Sequence, residues 1–390
     1  MDVEAKRQGN SLLNPWFLRL AALLASGGVL QGCWGERVGD HSGCRPRTSP
    51  AVSSDLLAKT EIVPTLDTPL PPSGNAIWCA TFQVAWNLAR DDIFRGPLRI
   101  ANAEPVADRL ERSPVTAAVL PPGSFFSAAG RLQDGIAETI RREMSRQFAG
   151  AELPEFDGAV GFVTYGYLDT KAAFTTPFMD TKQPIQFSDA AGVMHSVRGF
   201  GLHEGTDWDL LDRQAAQVKV LFSQADDESD RSEPIAFALD LTADQPQQQV
   251  IVAVLPRAKH LRAALDELAK RIVTFAPDEY SVNLDATDTL AIPNVAFHVN
   301  HEFPELQGVD KTIENPGEFH GLYILKAAQS IKFRLDKSGA TVVSESHMRA
   351  AAIPRDFVVD RPFLIVMKCR SADEPFFVAW IEDVELLENE

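Results

Sequence analysis

The sequence predicts an α+β fold, with mixed β-sheets, packed helices and one long exposed loop. Three observations lead there. Ile331 to Leu335 alternates apolar and polar residues, as a half-buried strand does. Phe363 to Met367 and Phe376 to Ile381 are continuous apolar runs joined by the polar turn Arg370 to Pro375, which reads as a hairpin of buried strands. Between the first strand and this hairpin lies Lys337 to Asp360, with small residues, Gly, Pro and no helical apolar face. A loop of that length inside a folded domain is uncommon and usually functional or disordered.

The chain has 390 residues, 45% of them hydrophobic, enough for a sizeable core. Its formal net charge is −17, which argues against nucleic acid as a partner, because phosphate binding needs clustered Lys and Arg.

Lys6, Arg7 and Arg19 precede the apolar stretch Leu20 to Leu30, too short to span a bilayer and of the right length for a signal-peptide core. Residues 1–32 are therefore read as an export signal. Leu30–Gln31–Gly32–Cys33 is similar to a bacterial lipobox, which implies lipidation at Cys33; an ordinary secretory signal with an incidental Cys is the other reading. Residues 33–72, rich in Pro, Ser, Thr and Gly, read as a flexible tether, and residues 73–390 as the folded domain. Cys33, Cys44, Cys79 and Cys369 fit neither a zinc pattern nor a dense disulfide framework. A bridge between Cys79 and Cys369 is open from sequence.

In order, Asn75 to Ala80 reads as a strand, Phe82 to Leu88 as a buried helix and Val106 to Glu111 as a short one. Leu132, Ile136, Ile140, Met144 and Phe148 recur every four residues and predict an amphipathic helix. Val160 to Leu168 is β-branched and aromatic, a strand. Gln217 to Phe222, Ala236 to Leu241 and Gln249 to Leu255 read as strands, His260 to Ile272 as a helix, and Ile292 to Val299 as a further strand. The acidic loop Asp226 to Asp230 lacks EF-hand spacing and reads as solvated.

The order of these residues resembles the serpin family. The counterparts at the C-terminal end are Asp336 and Gly339, a small-residue hinge, the box Asp360–Arg361–Pro362–Phe363 and the terminal hairpin. Pro177, Phe178, Thr181, Lys182 and Phe187 match a second box, and the resemblance runs over roughly Asn75 to Leu387. It implies a serpin-like α+β domain whose exposed reactive-centre loop is bait for a serine protease, and whose hinge inserts as a new strand once the loop is cut. The hinge is Gly339, Ala340, Thr341, Val342, Val343, Ser344 and Ser346. Ala340, Val342, Ser344, Ser346 and Met348 share one uncharged face, as insertion requires. The stiff Val342 and Val343 slow such a step.

Two reactive bonds compete, Arg349–Ala350 and Ile353–Pro354. The family's sheet-closing polar cluster corresponds to Cys79, Thr164 and Gln329. The resemblance implies a monomeric serine-protease inhibitor, not an enzyme, with no cofactor; the alternative is a non-inhibitory binding or scaffold protein of the same fold at the cell surface. Membrane contact is expected only through the lipid. His298, His301 and Glu302 suggest a metal site, but residues three apart on a strand face opposite ways, so a hydrogen-bonded or solvent-facing pair is expected instead.

Overall fold

A computed structural model describes residues 52–156, 158, 160–202, 207–225, 234–276, 282–338 and 354–390. The chain begins with β1 (Val52–Ser53), a 3-10 turn over Ser54–Leu56, β2 (Thr60–Ile62) and β3 (Asn75–Cys79). α1 (Ala80–Leu88) follows at once, and a π-helical turn, Ala89–Phe94, continues it until Arg95 takes left-handed φ of 53°. α2 (Glu104–Arg112) has Pro in its first turn and Arg109 and Arg112 in its last, the order that helix ends favour.

β4 (Phe125–Arg131) precedes α3 (Ile136–Gln147). The predicted helix from Leu132 starts late because Gly135 sits at φ 82°, leaving Leu132–Asp134 as a 3-10 turn. Next come β5 (Phe162–Lys171), β6 (Met179–Asp180), β7 (Ile185–Ser188), β8 (Met194–Val197) and β9 (Gly199–Leu202). α4 (Trp208–Ala216) is capped by Asp207, whose carboxylate accepts from Leu210 N at 3.0 Å. β10 (Lys219–Gln224), β11 (Ala236–Asp240) and β12 (Gln248–Val254) lead to α5 (Leu261–Thr274), where His260 Nδ1 accepts from Ala263 N at 2.9 Å. The chain closes with β13 (Thr289–Pro293), β14 (Val295–Glu302), β15 (Ile324–Leu335), β16 (Asp356–Val358), β17 (Phe363–Cys369) and β18 (Phe377–Ile381).

The expected α+β architecture is present, with mixed sheets and packed helices. A seven-stranded sheet has the order β10-β11-β12-β17-β18-β3-β2, a five-stranded sheet β1-β14-β15-β5-β4, and a four-stranded sheet β16-β13-β9-β6; β7 and β8 form a separate hairpin. The terminal hairpin lies in the middle of the large sheet, and consecutive residues Phe363 to Met367 and Phe377 to Ile381 are all buried, so both its faces are covered. The five- and seven-stranded sheets meet through stacked rings: Phe333 of β15 lies 4.4 Å from Phe377 of β18 at 12°. α3 covers the opposite face of the five-stranded sheet, where Ile140, Met144 and Phe148 pack on Tyr165 and Tyr167. Among the described residues no helix is long and apolar enough to cross a membrane.

The structure corrects two expectations and answers an open one. Residues 52–72, placed by composition in the tether, are part of the fold. β1 pairs with β14 and β2 with β3, while Val63, Leu66 and Leu70 are buried. The Glu385 carboxylate accepts from Ala58 N at 2.7 Å, Lys59 N at 3.0 Å and Thr60 Oγ1 at 2.7 Å. The segment lacks periodicity because its order comes from distant partners rather than from a repeating apolar face. Residues 1–51, including Cys33 and Cys44, lie outside the described residues. Second, Ile292 to Val299 is two strands in two sheets. Pro293 lacks the N–H to continue a ladder, and Asn294 turns the chain by donating its N–H to Arg198 O at 2.9 Å.

Cys79 and Cys369 are both free. Cys79 is opposite Phe377, which is opposite Met367, two residues before Cys369. Two strand spacings, about 9.6 Å, already exceed the reach of about 7 Å that a disulfide allows.

Asn75 ties the N-terminal segment to the C-terminal end. Fully buried, its Oδ1 accepts from Glu382 N and Asp383 N, both at 2.9 Å, and its Nδ2 donates to Thr60 Oγ1 at 3.1 Å. Asn75→Ala strands these groups, and we expect it to lower stability by about 2–3 kcal/mol in urea unfolding, with no change in secondary structure by circular dichroism.

Candidate functional site

The five-stranded sheet contains a seam. β15 and β5 are parallel and stay in register from Ile324 opposite Phe162 to Arg334 opposite Lys171, with one irregularity near Lys326. β14 and β4 flank them antiparallel, so the seam is the long parallel contact of this sheet among the described residues. Parallel pairing is slightly weaker per residue than antiparallel pairing.

One row of residues crosses the sheet: His301 on β14, Gln329 on β15, Gly166 on β5 and Ser127 on β4. All lie on the face that meets the start of α1. Gly166 is a glycine for a reason of space, because a Cβ there would sit 2.8 Å from the Thr81 carbonyl carbon. Through that gap the chain at Thr81 is held from both sides of the seam. Gln329 Nε2 donates to Thr81 Oγ1 at 2.6 Å and to Cys79 O at 3.1 Å. From beyond β5, Ser127 Oγ donates to Thr81 O at 2.8 Å. On the other face Lys332 Nζ and Asp169 Oδ2, 2.9 Å apart, pair across the same seam. That pair is half exposed and contributes little, within about 1 kcal/mol.

Of the residues assigned from sequence to the sheet-closing cluster, the structure brings Cys79 and Gln329 together, through the Cys79 carbonyl rather than its thiol. The thiol faces Thr81 Oγ1 at 3.3 Å, and burial pushes it up to about 11, so it stays protonated. Thr164 lies under the seam opposite Ala327, buried, and its hydroxyl has no hydrogen-bonding partner among the described residues. Thr81 and Ser127 went unassigned. Gly166 in the middle of an aromatic strand was the signal that some other backbone passes close by.

The chain leaves one end of this seam after Leu335, toward the segment read from sequence as the long loop. Gly339, Ala340, Thr341, Val342, Val343, Ser344, Ser346, Arg349, Ala350 and Ile353 all lie outside the described residues, and Pro354 is exposed. Both feet of the loop are described. At the first, Asp336 accepts from Ser338 N at 2.8 Å and pairs with Arg334, and Phe178 N donates to Lys337 O at 3.0 Å while Lys337 pairs with Asp180. Burial alone would raise the Asp336 carboxyl, but the hydrogen bonds from Ser338 and Arg334 outweigh it and hold it below the ordinary range.

At the second foot the buried Asp288 accepts from Arg355 N at 2.8 Å and from its Nη2 at 2.7 Å, while the same Nη2 donates to Asn283 O at 2.7 Å. Lys337 and Asp180 sit at the β6 edge of the four-stranded sheet and Arg355 at the β16 edge. The feet are thus three strand spacings apart, about 14 Å.

His298 and His301 face opposite ways. His301 Nδ1 is 2.8 Å from Ser54 Oγ, and His298 Nε2 is 3.4 Å from Ser330 Oγ. Among the described residues no three His, Cys, Asp or Glu side chains gather as metal ligands.

No family model matches the chain, and no curated protein does. Solved structures of serpins do match. Protease nexin-1 with heparin is 11% identical over 80% of this chain and 93% of its own, at a TM-score of 0.49. A serine protease inhibitor, serpin-12 of Manduca sexta, is 13% identical over 82% and 95%, at 0.44. Thyroxine-binding globulin in complex with thyroxine is 11% identical over 79% and 92%, at 0.47. These are what the chain is similar to in fold; the seam and its ties rest on the strand registers given above.

Burial lowers His301 from 6.5 to about 4, with Asp55 and Glu302 pulling weakly the other way. A histidine depressed in the folded state contributes stability that is full above its ordinary value and is lost as pH falls through about 6.5 toward 4. Thermal unfolding across that window should show wild type losing about 3 kcal/mol more than His301→Gln.

Proposed function

We propose that the protein is a serine-protease inhibitor that works by cleavage and insertion of the loop after β15. The observation that carries this reading is the direction of the strands. β15 and β5 are parallel neighbours, and a chain turning back after β15 would arrive antiparallel to both. Its entry replaces one parallel ladder by two antiparallel ones, with a new row of backbone hydrogen bonds on each side.

The sequence of the loop suits that entry. With 336–339 as the turn, Ala340 falls opposite Leu335, and Val342, Ser344, Ser346 and Met348 fall opposite Phe333, Ile331, Gln329 and Ala327, the residues of β15 that face α1 and the core. Thr341, Val343, Glu345, His347 and Arg349 take the other face, beside Arg334, Lys332 and Lys326. The opposite parity would turn Glu345 and Arg349 toward α1 and the main core, whereas this one sets Glu345 and His347 opposite Ser330 and Ala328, on the face that α3 covers.

In this reading the protease's nucleophile attacks the carbonyl of Arg349 or of Ile353. The amine of Ala350 or Pro354 departs, and the acyl-enzyme stays on the hinge while the hinge inserts. The distal half of the cut loop remains on the domain through Arg355 and Asp288. Attachment outside the cell through a lipid on Cys33 belongs to the same proposal.

Nicking with trypsin, with the cut site read by mass spectrometry, tests it. Cleavage at Arg349–Ala350 should raise the unfolding temperature by more than about 10 °C, since some ten ladder rows form, and a target protease should give an SDS-stable complex. A cut that leaves the unfolding temperature unchanged or lower points instead to the non-inhibitory scaffold of the same fold.

A further inference from the structure

The sequence resemblance implies a monomer, and one edge of the five-stranded sheet argues against it. We infer that the open edge of β4 pairs with the same edge of a second copy, joining two five-stranded sheets into one across a two-fold axis. The pairing is independent of the inhibitor reading.

Among the described residues β4 is the last strand of its sheet. Its register with β5 is unbroken from Phe125 opposite Leu168 to Arg131 opposite Phe162. Just beyond the two ends, Asp169 N donates to Ser124 O at 2.9 Å and Leu132 N donates to Gly161 O at 3.0 Å. Bonded positions alternate in an antiparallel ladder, so the even-numbered residues of β4 bond to β5. Phe125, Ser127, Ala129 and Arg131 turn their N–H and C=O groups outward, where no backbone group of the described residues meets them.

Open edges are normally blunted by Lys, Pro, a bulge or sheer shortness. The opposite edge of this sheet is blunted: β1 is two residues long, and Leu387 bridges to Val295 of β14. β4 has seven residues, with no Pro, no bulge and no charge before Arg131. The helix on its outer face leaves the edge clear, since α3 lies across β4, β5 and β15, over Phe126, Tyr165 and Ala328. On the other face Phe125 and Ala129 stay half-exposed.

The edge also fits itself. With the two-fold axis at Ala128, Ser127 falls opposite Ala129 of the other copy and Phe125 opposite its Arg131. Every outward group of both strands then finds a partner in one register. Like charges do not meet, because Arg131 faces a Phe and is held by Asp134 and Glu318 of its own copy. That self-match, added to the openness, makes the occupant a second copy.

Sedimentation of the full chain over a concentration series tests this, in roughly 0.15 M salt to screen the −17 carried by each copy. Wild type should form a dimer. Ala129→Pro deletes an outward N–H but no bond to β5. It should weaken the dimer about 30-fold or more, while circular dichroism and unfolding temperature stay those of the folded chain. Ala128→Cys sets two thiols at the axis, within disulfide reach. Under mild oxidation it should give more covalent dimer on non-reducing gels than wild type with its own four cysteines. The pairing is overturned if wild type stays monomeric up to about 100 μM, if Ala129→Pro dimerises as well as wild type, or if Ala128→Cys cross-links no more than wild type. Should Ala129→Pro fail to fold, the Ala128→Cys result decides.

Discussion

The parallel contact between β15 and β5 is the constraint on which the rest of the site depends. Two parallel strands side by side need a long crossover, and here that crossover includes α4, α5 and strands β10 to β12 of the seven-stranded sheet. The chain has therefore built much of itself between the two strands of its central seam. After β15 the chain leaves the sheet at an edge-free position, where a returning strand would find a partner on both sides.

The forces across the seam are few and local. The start of α1 is tied to it at Cys79 and Thr81, and the tie from Ser127 through Thr81 to Gln329 must break on one side if the strands part by a strand's width. Hydrogen bonds of this kind contribute about 1 kcal/mol each. Such a tie delays opening without forbidding it. The loop's second foot is anchored by stronger means. Asp288 is buried beneath Arg355, and removing Arg355 leaves that buried carboxylate without its cation. The contrast places the weak point at the seam and the fixed point at the far end of the loop.

Much of this frame was legible in the sequence. Phe363 to Ile381 announces a buried hairpin because apolar residues are continuous over both strands, and the pattern needs no partner to be read. The stretch after β15 stood out for the converse reason, having no pattern at all, and residues 339–353 of it lie outside the described residues. β4 was not seen, since Phe125 to Arg131 mixes Phe with Ser, Ala and Gly and has neither period. The ties were beyond reach for a physical reason. Thr81 meets Ser127 at a separation of 46 residues and Gln329 at 248, and a hydroxyl near a helix start looks the same whether it faces water or a strand. The fold of residues 52–72 was missed likewise, because Glu385, which accepts from three donors there, is 325 to 327 residues away.

A reversible staple between β15 and β5 shows whether the two strands part to admit a third. Lys332 and Asp169 are opposite each other across the seam and already in contact, so Lys332→Cys with Asp169→Cys places two thiols there. The oxidised protein, once nicked in the loop, should show no rise in unfolding temperature, and reduction should restore the rise expected of wild type. An equal rise in the oxidised and reduced forms would contradict it, since the seam would then have stayed shut while the protein gained its stability elsewhere.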